Sequence, residues 1–290
     1  MSKIIADSFA EGFKMWCCRL LITAKNQELA DISAQTATGF GVSIIMSPAE
    51  AGLEQKLPEK TPDGRPGRII QIWHSKKAKL QNEVLARVGQ CVLTAPTTAL
   101  FNATENPDHT YKLGKNLSFF GDSHQVQDTL EERTIHRVPV MDGEFVIEEE
   151  VGFVKGVAGG NLIIIGKDPI GTLEATQNAV RAIYEEAQVI TSFPGGICRS
   201  GSKVGSQYKF LHASTNHKYC PTLKDKVEDS LLPPEAECVY EIVLNGLTQE
   251  DVEKAMTRGA NAASSHDSVI SITAANFGGN LGQYQIPVLG

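Results

Sequence analysis

One order of secondary-structure elements, predicted twice along the chain, constrains the fold more than any other feature of the sequence. In the first half, apolar runs predict strands, and apolar residues spaced three and four apart predict helices. The predicted order is a strand at 13–24, a helix at 26–37, strands at 42–46 and 68–74, and a helix at 77–93.

The second half repeats this order of elements. Its predicted strands are at 162–165, 189–193, 238–244 and 269–273, and its predicted helices are at 168–187 and 248–264. Asp168 followed by Pro169 is typical of a helix start. Thr248 with Asp251 three residues later resembles a capping box.

Strand–helix–strand taken twice is the ferredoxin-like βαββαβ pattern, and both halves follow it, the first without a predicted closing strand. The sequence therefore predicts an α+β protein of two ferredoxin-like lobes that arose by internal duplication, 1–143 and 144–290. Two long segments without periodicity, 54–67 and 207–234, are predicted to be loop insertions. Loops of this length usually carry function or form interfaces.

The composition of the 290 residues is that of a globular protein, with 41% hydrophobic residues and a net charge of −7. Its apolar runs fall far short of the ~18 residues needed to span a membrane. The N-terminus lacks the apolar core of ~7–15 residues that marks a signal peptide. The acidic charge and the lack of a clustered basic stripe argue against a nucleic-acid partner. We therefore expect a cytoplasmic protein that binds neither nucleic acid nor membrane.

The cysteines and histidines form no recognisable metal motif. No Cys-x-x-Cys pair occurs among the six cysteines at 17, 18, 91, 198, 220 and 238. The seven histidines show no His-Glu-x-x-His or triple-ligand spacing. These patterns favour free thiols and no metal, with a zinc site or a disulfide framework as the alternative.

Glycine clusters next to apolar runs suggest a cleft that is lined by backbone. Among them, the stretch 193–210 combines glycines and serines with Arg199, Lys203 and Lys209. Exposed backbone N–H groups and basic side chains can together hold an anionic ligand. The alternative is a solvated hairpin loop, and the residues alone do not decide between the two.

One acidic residue, Glu241, lies inside an otherwise apolar strand. If its face of the sheet is buried, desolvation raises the pKa of the carboxyl toward a range that is useful for acid–base catalysis. The alternative is a salt-bridged or edge-strand glutamate without a catalytic role.

Several longer motifs closely resemble formylmethanofuran:tetrahydromethanopterin N-formyltransferases, and the likeness runs from Asp7 to the C-terminus. The matching segments are 36–41, 48–52, 61–67, 89–94, 156–161, 193–196, 201–206, 220–224 and 239–243. The resemblance implies two ferredoxin-like lobes per subunit and a homotetramer, a dimer of dimers, with substrates bound in a cleft between subunits. It implies formyl transfer between methanofuran and N5 of tetrahydromethanopterin. These two coenzymes act as substrates, and no metal, flavin or nucleotide takes part.

Within this resemblance, Glu241 corresponds to the catalytic glutamate of the family. The chemistry of the loops predicts the substrate-binding residues Gly159, Gly160, Asn161, Gly195, Gly196, Arg199, Ser202 and Lys203. Two alternatives remain open. The chain could be a subunit of a formyltransferase/hydrolase complex of methylotrophic bacteria, or a non-catalytic ferredoxin-like ligand-binding protein.

Overall fold

The structure is a computed structural model, and it describes residues 4–289. Within that range the strands are β1 (Ile4–Ile5), β2 (Phe9–Thr23), β3 (Glu50–Leu57), β4 (Gly67–His74), β5 (Ala99–Asn102), β6 (His109–Tyr111), β7 (Val126–Leu130), β8 (Arg133–Val140), β9 (Gly143–Glu148), β10 (Val151–Gly166), β11 (Val189–Thr191), β12 (Lys203–Val204), β13 (Ala213–Ser214), β14 (Cys238–Gly246), β15 (Val269–Thr273) and β16 (Tyr284–Pro287). The α-helices are α1 (Gln27–Thr38), α2 (Lys77–Arg87), α3 (Leu113–Ser118), α4 (Pro169–Ile183) and α5 (Gln249–Ser264).

The chain forms two compact units. The N unit is Lys14–Gly156, and the C unit combines the residues up to Phe13 with those from Val157 onward. Both divisions fall inside long strands, β2 and β10. The lobes predicted at 1–143 and 144–290 were divided by sequence alone and stay a prediction. The outermost residues of those lobes, 1–3 and 290, lie outside the described residues.

In the N unit, β2 is the central strand. It pairs antiparallel with β4 on one side and with β5 on the other, and β3 pairs with the far side of β4. Helices α1 and α2 cover one face, where their buried residues pack against Leu20, Ile22, Ile70 and Ile72. Burial of such side chains supplies the main favourable term for this arrangement.

The C unit has the same strand order. Strand β10 lies between β14 and β15, and β11 pairs with the far side of β14, all antiparallel. Helices α4 and α5 pack on one face against Leu162, Ile164, Ile242 and Leu244. Because side chains alternate along a strand, the residues between these apolar positions lie on the opposite face of the sheet.

Most of the predicted elements are confirmed, and the fold is mixed α+β. Strand β15 spans the predicted residues 269–273. The Asp168 side chain caps α4 by accepting a hydrogen bond from the Gly171 N–H at 2.7 Å. Thr248 and Asp251 form the predicted capping box of α5. No helix within residues 4–289 is long and apolar enough to cross a membrane.

The prediction of a strand at 42–46 is wrong. The segment forms a turn that the Ser47 hydroxyl closes by donating to the Ser43 carbonyl at 2.6 Å, and Met46 is exposed. The strand that pairs with β4 is instead β3, Glu50–Leu57, which takes the first four residues of the predicted insertion at 54–67. Its charged residues hide the apolar alternation, since Glu54 is buried in an ion pair with Arg19.

Candidate functional site

The candidate site is built on β14 of the C unit, where Glu241 stands directly opposite Ile163 of β10. Ile242 and Leu244 point into the core beneath the helices. The alternation of side chains therefore places Glu241 on the face away from the helices, together with Ile163.

This face is covered by the long segment that precedes β14. Tyr219 and Leu232 of that segment pack with Ile163, Ile165 and Ala236 in a small apolar cluster. The predicted insertion 207–234 therefore forms part of the surroundings of Glu241 rather than a detached loop.

The carboxyl of Glu241 titrates near neutral pH. Burial raises the pKa of Glu241 from its ordinary value of 4.5 to about 7, although a hydrogen bond from the Cys198 thiol acts in the opposite direction. The charge of Glu241 also contributes to the raised pKa of Tyr219, after the larger effect of burial. A carboxyl with this pKa can both accept and release a proton at neutral pH.

The glycine turn after β11 returns the chain to the edge of β14. Pro194–Gly196 forms a 3-10 turn, and Cys198 then pairs with Glu241. The Cys198 N–H donates to the Glu241 carbonyl at 2.7 Å, and the Glu241 N–H donates to the Cys198 carbonyl at 3.0 Å.

The predicted residues Gly195 and Gly196 lie three and two positions before Cys198, the partner of Glu241, and their surroundings differ. Both have positive φ, 63° and 80°. Space around Gly195 is open, whereas a side chain at Gly196 would lie 2.7 Å from Val180 Cγ1. Gly196 is thus required for packing, and Gly195 leaves room for a ligand.

Asn161 lies on the same face as Glu241, because it precedes Ile163 by two positions. Its Nδ2 donates to the Ala275 carbonyl at 3.0 Å, and its Oδ1 accepts from the Ala275 N–H at 2.7 Å. Gly159, with φ of 95°, lies where the register between β10 and β14 shifts, and its N–H donates to Asn245 Oδ1 at 3.1 Å. A side chain at Gly160 would collide with Val252 of α5. Substrate contacts of these three residues stay a prediction.

The three polar residues predicted from the 193–210 stretch lie further along the same segment. Arg199 follows Cys198 and is exposed, and its charge lowers the pKa of Tyr240, which burial raises overall. Ser202 is exposed, and Lys203 begins β12, which pairs only with β13 in a separate two-stranded sheet. Neither Arg199 nor Lys203 forms an ion pair with any other residue of the 4–289 range. Both basic side chains are therefore available to an anionic ligand.

Two neighbours of Glu241, Cys198 and Tyr219, were not predicted as site residues. Cys198 lies in the glycine-rich motif, and no sequence signal distinguishes it from an ordinary buried cysteine. Tyr219 lies in a segment without periodicity, so its position is set by packing that the sequence does not reveal. Within the described part of the chain, no group of three or more His, Cys, Asp or Glu side chains could hold a metal ion.

Comparison with known proteins identifies the family. The model of the formylmethanofuran-tetrahydromethanopterin formyltransferase family matches residues 2–140, and the model of the proximal lobe of the same enzyme matches residues 143–289. A formyltransferase of this name from Methanocaldococcus jannaschii is 51% identical over 286 residues, which cover 97% of this chain and 95% of that protein.

Two solved structures are similar over nearly the whole chain. The formylmethanofuran:tetrahydromethanopterin formyltransferase from Methanosarcina barkeri superposes with a TM-score of 0.96 at 44% identity, covering 98% of this chain and 97% of that one. A chain of the formyltransferase/hydrolase complex from Methylorubrum extorquens, solved with methylofuran, gives a TM-score of 0.94 at 41% identity, covering 98% and 95%. From the family models and these relatives together, the chain belongs to the formylmethanofuran–tetrahydromethanopterin formyltransferase family.

Proposed function

We propose that this chain transfers a formyl group reversibly between N-formylmethanofuran and N5 of tetrahydromethanopterin, or a close pterin variant, and that Glu241 carries the proton. Membership of the formyltransferase family supports the reaction. The observation that supports the role of Glu241 is a half-buried carboxyl opposite Ile163 of the apolar cluster, whose pKa burial raises to about 7.

The chemistry of the reaction requires such a group. When the amine attacks the formamide carbon, a tetrahedral intermediate forms with negative charge on the former carbonyl oxygen. The attacking nitrogen must lose a proton and the leaving nitrogen must gain one as the C–N bond breaks. Glu241 can accept the first proton as a carboxylate and donate the second as a carboxylic acid. Binding both coenzymes together in a ternary complex supplies further acceleration through proximity.

The basic residues of the glycine-rich segment are suited to the acidic parts of the coenzymes. Arg199, Lys203 and the open backbone at Gly195 lie on the chain segment that leads to and from Cys198, the partner of Glu241. Guanidinium and ammonium groups beside free N–H donors bind carboxylates and phosphates well. We therefore assign coenzyme binding to this segment.

The strand order supports two ferredoxin-like lobes that arose by duplication. In the N unit the order is β3-β4-β2-β5, and in the C unit it is β11-β14-β10-β15, so the first strand lies between the third and fourth in both. We further propose a cytoplasmic homotetramer, a dimer of dimers, as the active assembly.

The direct test is an absorbance assay in which the isolated chain is mixed with formylmethanofuran and tetrahydromethanopterin. We expect formyl transfer without added metal, flavin or nucleotide. Absence of transfer from a folded chain, under conditions where a related formyltransferase is active, would refute the proposal.

A second candidate function is that of a subunit in a formyltransferase/hydrolase complex. The similarity to a chain of the Methylorubrum extorquens complex favours it. Native mass spectrometry of the protein purified from its source distinguishes the two. A mass of four identical chains supports the homotetramer, and additional subunits support the complex.

A further inference from the structure

A buried thiol faces the carboxyl to which we assign the proton. Cys198 is only 4% exposed. It and Glu241 exchange two backbone hydrogen bonds, at 2.7 and 3.0 Å. Residues paired in this antiparallel manner direct their side chains to the same face, with Cβ atoms about 4.5–5.5 Å apart. The thiol is therefore held beside the carboxyl by backbone geometry and not by a flexible side chain.

The Cys198 thiol has two polar neighbours. One is the Glu241 carboxyl, whose pKa the thiol acts to lower by hydrogen bonding, although burial raises that pKa overall. The other is Ser200, whose hydroxyl lies 3.5 Å from Cys198 Sγ. With Ser200 donating to the sulfur, the thiol hydrogen is free to point at Glu241.

Two further neighbours of Glu241 come from the long segment before β14 and from β10. Tyr219 faces it from the long segment, and β10 contributes the apolar Ile163. Burial and the charge of Glu241 raise the pKa of the Cys198 thiol, although Ser200 acts to lower it. The thiol therefore stays protonated at neutral pH, as a donor and not as a competing base or nucleophile.

We propose that Cys198 is a positioning residue for formyl transfer: its thiol donates to one oxygen of the Glu241 carboxylate and leaves the other oxygen directed toward the reacting amines. This inference rests on the proposed role of Glu241. Oxygens of a free carboxylate exchange places by rotation, and a fixed donor on one of them removes that freedom. A hydrogen bond to the ionised form also favours ionisation.

The experiment is the pH dependence of kcat for three variants. In Cys198→Ala the Glu241 carboxylate loses its hydrogen-bond donor, so its pKa rises. We therefore expect the acidic limb of the kcat profile to lie about 0.5–1 pH unit higher than in wild type. Cys198→Ser supplies a hydroxyl donor at the same place. Its acidic limb should therefore lie at the wild-type pH or at a lower pH. Cys238→Ala is the matched control, since Cys238 lies on the same strand but on the opposite face, and its profile should not move.

A spectroscopic arm tests the contact without catalysis. The S–H stretching band of Cys198 is assigned from the infrared difference between wild type and Cys198→Ser. We expect this band to shift as pH passes through about 7, the pKa of Glu241, and not to shift in Glu241→Gln.

The kcat profiles and the infrared band together distinguish failure of the proposed role of Glu241 from failure of the positioning role of Cys198. If the S–H band responds to pH but the wild-type kcat profile shows no acidic limb near pH 7, the proton-carrying role of Glu241 is overturned, and the positioning role of Cys198 is overturned with it. If the acidic limb lies near pH 7 in both wild type and Cys198→Ala, and the S–H band does not change with pH, only the positioning role of Cys198 is overturned. In that case a lower kcat in the variant reflects packing.

Discussion

Asn161 and Ala275 are joined by two hydrogen bonds, because the side-chain amide of Asn161 donates to the Ala275 carbonyl and accepts from its N–H. This pair ties β10 to the loop that follows β15. Glu11 ties down the same loop further along by accepting from the N–H groups of Phe277, Gly279, Leu281 and Gly282. The glycine-rich C-terminal loop is therefore fixed by two buried side chains.

The first prediction concerns Asn161. Asn161→Ala leaves both backbone groups of Ala275 without their partner, so we expect a loss of about 1–3 kcal/mol in the free energy of unfolding. Urea denaturation measures it. Asn280→Ala, at an exposed position of the same loop, should stay within about 0.5 kcal/mol of wild type. Equal effects of the two changes would mean that Asn161 does not anchor the loop.

The contacts of Glu11 lead us to expect that the free energy of unfolding depends on pH. Burial acts to raise the pKa of Glu11, but the four N–H donors outweigh it and hold the pKa below its ordinary 4.5. Its stabilising effect is therefore complete above pH 4.5 and is lost as pH falls through the lowered value. Glu11→Gln should cost about 2–4 kcal/mol at pH 7.

The measurement for Glu11 is denaturation of wild type and Glu11→Gln across acidic pH. The difference between them should narrow below pH 4.5, because wild-type Glu11 then becomes protonated. A difference that is constant with pH would contradict the account.

Two adjacent glycines make a matched pair. Gly195→Ala places a side chain at φ of 63° in open space, for a cost of about 1–2 kcal/mol. Gly196→Ala adds a clash with Val180 to the same strain, so we expect about 2–4 kcal/mol. Thermal and urea denaturation rank them. If Gly195→Ala is the more destabilising change, the described turn is incorrect.

Arg199 and Lys203 are predicted to bind anionic parts of the coenzymes. Arg199→Ala and Lys203→Ala should each raise KM more than they lower kcat, which is the signature of lost uniform binding. Steady-state kinetics with each coenzyme varied in turn gives both constants. Unchanged KM values in two folded variants would leave these side chains without a role in binding.

Much of the fold follows from local patterns in the sequence. Strand β15 and the caps at Asp168 and Thr248 were predictable because apolar alternation and capping chemistry are local. Strand β3 was missed because Glu54, a charged residue, is buried only through its ion pair with Arg19, 35 positions away. That partner is not visible in a local window.

The site was predictable to the same extent. An acid within an apolar strand identified Glu241 as a candidate, and its half-buried position follows from the alternation of β14. The presence of Cys198 beside it depends on how the glycine turn after β11 returns the chain to the sheet edge. Tyr219 arrives from a segment with no periodic signal. Both positions are set by tertiary packing.

Glu241→Gln should also change stability, which provides a control for folding. Burial raises the pKa of Glu241 to about 7, so wild type loses stability as pH rises from 4.5 to about 7. The neutral glutamine avoids this loss. Above pH 7 the variant should be more stable than wild type by up to about 3 kcal/mol, as measured by urea denaturation.

The most direct test of the account is the activity of that same variant. Glutamine keeps the shape of the side chain but cannot carry a proton, so kcat for formyl transfer should fall by about 10²–10⁴. Both coenzymes should still bind, with Kd values close to those of wild type. A Glu241→Gln protein that is folded, binds both coenzymes and keeps more than roughly a third of the wild-type kcat would contradict the proton-carrying role of Glu241.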